Sequence, residues 1–133
     1  MRFMLMMNAP GTKSGEYQVA SWSPEDLKAH IGFMMALNDD LRKAGELVSA
    51  EGLAAPGEAK LVRLNKSGGP PITDGVFPES KEFLAGFWIV DVDAPRRAYE
   101  IAARISSAPG PGGAPLVLPV EVRQVMSAPP IDG

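Results

Sequence analysis

Two side chains of this sequence combine a residue type and a setting that could move protons. Asp74 stands in Thr73-Asp74-Gly75-Val76-Phe77-Pro78-Glu79-Ser80-Lys81-Glu82, just ahead of the apolar run from Phe83 to Val90. A carboxylate desolvated by apolar neighbours holds its proton to higher pH and can serve as an acid or base near neutrality. The same dipeptide, Asp-Gly, also makes tight turns in which the carboxylate bonds nearby amides. Both readings of Asp74 stand at this level. His30 is the one histidine of the chain. It falls at the edge of a helical apolar stripe of Leu27, Ile31, Met34 and Leu41. From there it either reaches a cleft as a base or bonds a backbone carbonyl. Asn38 falls near the centre of the same stripe. A buried amide needs partners, so it bonds the backbone or lines a polar cavity.

Other candidates carry less. Glu79, Lys81 and Glu82 read as a charged loop, or as a flap over Asp74. Glu121 and Arg123 alternate on a strand and suit a cross-strand pair. Gly110, Gly112 and Gly113 alternate with proline after a helix, which is not the strand-before, helix-after setting of a phosphate cradle. The chain has no cysteine and a single histidine. That is a poor donor set for zinc. Neither a metal nor an organic cofactor is expected.

Steric and electrostatic needs then bound the rest. One domain over residues 1–133 is expected, with 45% hydrophobic residues to fill its core. The formal net charge is −3 and no basic block exceeds two residues. Nucleic-acid phosphates would have no basic face to meet. The start from Met1 to Met7 is too short for a signal h-region and is broken at Asn8-Ala9-Pro10-Gly11. No stretch approaches a membrane span. A cytoplasmic protein is the expectation.

The elements that must position these residues follow from periodicity and punctuation. Phe3 to Met7 reads as a strand. Ser23-Pro24-Glu25-Asp26 starts a helix, with serine as cap and acids at the positive end; Gly45 stops it. Leu47 to Leu53, Ala59 to Leu64 and Ile72-Thr73 read as strands, the last two as a hairpin. Gly86 to Val92 is the clearest strand. Asp93-Ala94-Pro95 opens a second helix with Ala98, Ile101, Ala102 and Ile105 inward. Leu116 to Val125 is the last strand, and Pro119 argues for an edge or a bulge. Without the hairpin the order is βαββαβ, the ferredoxin-like split-βαβ pattern of an α+β fold. Two helices cover one face of such a sheet. Both faces of the strands are apolar, so the second is expected to pack on another copy of the chain, with Trp88 among its lining residues.

Glu51-Gly52-Leu53-Ala54, the segment from Thr73 to Glu82, Gly86-Phe87-Trp88-Ile89-Val90-Asp91-Val92, the segment from Ala98 to Ile105, and Val120-Glu121-Val122-Arg123-Gln124-Val125 occur in an order that resembles the YCII-related family, often called after its Asp-Gly-Pro-Phe motif. The resemblance runs from the first strand to about Met126. It implies a ferredoxin-like protomer, a dimeric α/β barrel, and a His/Asp pair in a cleft. It also implies, for some relatives, association with sigma-factor-type regulators. Val76 stands where the motif has proline. The Pro109 to Pro119 segment is longer than usual. The commoner helix-one histidine falls where Met34 stands, one turn after His30.

Two functions are therefore expected as alternatives. One is a cofactor-independent acid/base enzyme, or binder, acting on a small polar molecule beside Asp74 and His30. The other is a non-catalytic homodimeric module serving a regulator.

Overall fold

The computed structural model describes residues 1–10, 21–75 and 82–127. These residues form an α+β fold, with six strands and two longer helices among them. The elements are β1 (Arg2–Pro10), α1 (Pro24–Lys43), β2 (Leu47–Gly52), β3 (Lys60–Arg63), β4 (Ile72–Gly75), β5 (Glu82–Asp91), α2 (Pro95–Ser106) and β6 (Val120–Gln124). Four strands form one antiparallel sheet in the order β2-β5-β1-β6. The remaining two, β3 and β4, pair with each other and, among the described residues, with no other strand. The four-stranded sheet is open, with β2 and β6 as its edges. No helix among the described residues is long and apolar enough to cross a membrane.

Helix α1 begins where capping chemistry predicts. The Ser23 hydroxyl accepts from the Asp26 amide at 3.1 Å, with Glu25 and Asp26 in the first turn. Arg42 and Lys43 lie in the last turn, and Gly45 turns the chain at φ +73°, a conformation that favours glycine.

Strand alternation sorts the sheet. Phe3, Leu5, Met7 and Ala9 of β1, with Trp88 and Val90 of β5, face the helices and are buried. They pack with Leu37 and Leu41 of α1 and with Ala98, Ile101 and Ile105 of α2 in one core. Burying a leucine or isoleucine here contributes about 1.5–3 kcal/mol each. Met4, Met6, Phe87 and Ile89 lie on the other face and are half-buried although neither helix covers them. Trp88 belongs to the helix-covered face, not to the open one expected for it. It is the partner of Leu5 in register, and Leu5 is fully buried.

Several boundaries depart from the sequence reading. Strand β1 runs on through Asn8-Ala9-Pro10 and does not break there. Pairing with the early part of β5 carries it past the proline, which lies at the strand end where a missing donor is tolerated. The last strand starts at Val120, not at Leu116. The Leu116 and Val117 amides bond the Ala108 and Ser106 carbonyls at 2.9 Å each. That pins the segment to the end of α2 and away from the sheet. Leu61, Val62, Leu64 and Ile72 of the hairpin region are exposed.

Candidate functional site

A cleft of about 180 Å³ lies between α1 and the β2-β5 half of the sheet. A bulge builds its floor. Met7 pairs with Gly86 and Asn8 with Leu84, so β5 carries one extra residue at this point. The interruption turns both Ala85 and Gly86 to the inner side, where both are buried. Gly86 also pairs with Gly52 of β2. The floor is therefore small or bare, while Met7, Met34 and Trp88 supply apolar walls. His30 and Asn38 are the polar side chains of the cleft; Glu51 borders it by its backbone, because its side chain, opposite Phe87, belongs to the other face of the sheet.

His30 is 6% exposed and is the one buried polar or charged residue among the described residues. Its Nδ1 lies 2.9 Å from the Pro109 carbonyl oxygen. A carbonyl only accepts, so Nδ1 carries a proton and donates it in this bond. The Trp22 ring meets it edge-on, with centroids 5.2 Å apart and planes at 87°. The helix thus faces inward along His30, Leu37 and Leu41, while Ile31 is 47% exposed. The stripe drawn from sequence included Ile31 and put His30 at its edge. Neighbouring residues on a helix differ by about 100°, and the Pro109 carbonyl and Trp22 decide which one turns in.

Asn38 is half-buried, and its Oδ1 accepts from Trp88 Nε1 at 2.8 Å. An indole N–H only donates, so this contact fixes which end of the amide faces the ring.

Asp74 lies elsewhere. It is on β4, opposite Leu61 of β3, and its side chain is 63% exposed. Among the described residues it pairs with Arg63, 3.8 Å away. It is not one of the residues lining the cleft. The desolvation expected of it is absent, because the hairpin that carries it packs on itself. Arg63 and Asp74 are both open to water, and such a pair is worth little. Residues 76–81, including Glu79 and Lys81 of the expected flap, are outside the described residues; Glu82 is exposed at the start of β5. Glu121 and Arg123 lie 3.8 Å apart on β6 itself and do not pair across strands. Among the described residues no group of three or more His, Cys, Asp or Glu is placed to hold a metal.

A model of the YCII-related domain matches residues 1–114. The chain belongs to the YCII-related family. The match takes in every residue that lines the cleft and ends before β6. A search among curated proteins finds none that matches.

Bottom-up reading missed Gly52 and the bulge. One signal was available: an isolated glycine inside a strand pattern marks a bulge or a close backbone approach, and Gly86 is such a residue.

Proposed function

We propose that this YCII-related protein binds a small molecule in the cleft between α1 and the sheet, and that His30 moves a proton there without a cofactor. The observation that carries this reading is the His30–Pro109 contact. A backbone carbonyl fixes the tautomer of a buried ring that lines a cleft. A general base needs this: a basic nitrogen held in one orientation toward its substrate. Apolar walls and a bare floor suit an organic ligand of modest size.

Asp74 enters as the second group of the proposal. Its hairpin departs after Gly52 and returns into β5 ahead of Ala85, so the arm is rooted at residues that line the cleft. A carboxylate on that arm is the proposed second group for chemistry at the cleft. The protein is proposed to work as a homodimer in the form of an α/β barrel. The half-buried strip of Met4, Met6, Phe87 and Ile89 supports this, as do the apolar residues of the hairpin.

The test is solvent exchange. Small ketones, esters and phenols are incubated with the protein in D2O, and deuterium uptake or isomerisation is followed by NMR. His30→Gln should retain ligand-induced thermal stabilisation and lose exchange. Exchange at equal rates in both proteins would remove His30 from the chemistry. Stabilisation by ligand with no turnover in the wild type would favour a binder.

A further inference from the structure

We infer that the ligand of this cleft is a neutral carbonyl compound, and that Asn38 selects it by presenting an amide N–H to the carbonyl oxygen. The inference rests on the cleft being the binding site and adds the class of molecule it takes.

The argument begins at Trp88. Its indole nitrogen has one proton and no acceptor capacity. At 2.8 Å it must face the oxygen of the Asn38 amide. The amide cannot flip without setting two donors against each other and leaving a buried indole N–H unmade, a loss of about 1–3 kcal/mol. Nδ2 is therefore the end left for other partners, and no hydrogen bond engages it among the described residues. Asn38 lines the cleft, so the cleft offers a donor at this point.

Charge then narrows the class. Neither Lys nor Arg is among the residues lining the cleft, and the Glu51 side chain shares the other face of the sheet with Phe87. A carboxylate ligand would meet no cation there. An ammonium ligand would meet the donor of Asn38 in place of an acceptor. A neutral carbonyl satisfies Nδ2 and lays its apolar body along Met7, Met34 and Trp88. Asn38 and His30 are eight residues apart on α1, about 12 Å of rise, so they attend to different ends of a ligand.

Acetophenone, benzoate and benzylamine share an aromatic ring and differ in the polar group. Their binding is measured by the shift of the Trp88 indole N–H resonance, assigned with Trp22→Phe. Acetophenone should bind most tightly. Asn38→Asp keeps an acceptor for the indole and removes the donor. It should weaken acetophenone roughly tenfold, the worth of one hydrogen bond, and favour benzylamine. Trp88→Phe frees the amide to turn and should narrow the preference for the ketone over the amine, read by thermal shift. Equal binding of ketone and amine to the wild type would overturn the inference. So would a ketone affinity unchanged in Asn38→Asp. If Gly52→Leu abolishes binding in those cases, the cleft remains the site and only the class of ligand falls. If Gly52→Leu leaves the binding of every probe unchanged, the cleft itself is not the site and the inference falls with it.

Discussion

Gly52 and Gly86 face each other across β2 and β5, yet the space around them differs. A Cβ on Gly52 would meet nothing within 4 Å, whereas one on Gly86 would lie 3.0 Å from the Glu51 carbonyl oxygen. Gly86 is a backbone contact and Gly52 is an opening. Gly52→Leu should fill the cleft and abolish ligand-induced stabilisation, with unfolding free energy changed by no more than about 0.5 kcal/mol. Gly86→Ala should cost about 1–3 kcal/mol by forcing the strands apart. Denaturant melts of both variants check the contrast. Equal losses would show that the two positions are alike.

The fold was legible because its signals are local. Ser23 caps α1, Ala98, Ile101, Ala102 and Ile105 form the buried face of α2, and the βαββαβ order follows once the hairpin is set aside. The site was less legible because it depends on contacts distant in sequence. Nothing near His30 announces the Pro109 carbonyl, 79 residues away. Asn38 was singled out as a buried amide, but its partner Trp88 is 50 residues off. The exposure of Asp74, where desolvation is expected, has a physical reason. An apolar run after an Asp-Gly says that the next strand is buried, and says nothing about the hairpin before it.

Glu46 and Arg97 join the start of β2 to α2 through two 2.8 Å hydrogen bonds. The bond from Arg97 holds the Glu46 carboxyl below the ordinary glutamate value of 4.5, against the opposing effect of burial. A lowered folded-state pKa stabilises the fold above the unfolded value and loses that contribution as pH falls through the folded one. Because Arg97 is 41% exposed, solvent screens the pair. The contribution is about 1 kcal/mol. Glu46→Gln should remove about that much at pH 7 and flatten the loss of stability below pH 4.5. Urea melts at neutral and acid pH read both, and an unchanged acid slope would remove Glu46 from the effect.

Val117 has φ +54° and is 71% exposed. A β-branched residue in that region is strained by about 1–3 kcal/mol, and little burial offsets it. Val117→Gly relieves the strain and adds back some unfolded-state entropy. The net should be a gain of about 0.5–1 kcal/mol, or a few degrees in Tm. A lower Tm would mean that the Val117 side chain makes a contact worth more than the strain.

The homodimer proposal turns on the open sheet face. Met4, Met6, Phe87 and Ile89 form its apolar centre, and the rows run out to Arg123 and Glu121 on one edge and to Ser49 and Glu51 on the other. An apolar centre with a polar rim is the anatomy of an interface between proteins. Size exclusion with light scattering should report twice the chain mass. Met6→Arg sets a charge in the middle of the face and should yield monomer or unfolded chain. Met35→Arg is the control. Met35 is 67% exposed on α1, away from the sheet, so its charge should leave the mass unchanged. A wild-type protein that is monomeric and folded at micromolar concentration would end the proposal. A dimer split by Met35→Arg and not by Met6→Arg would move the interface to the helices.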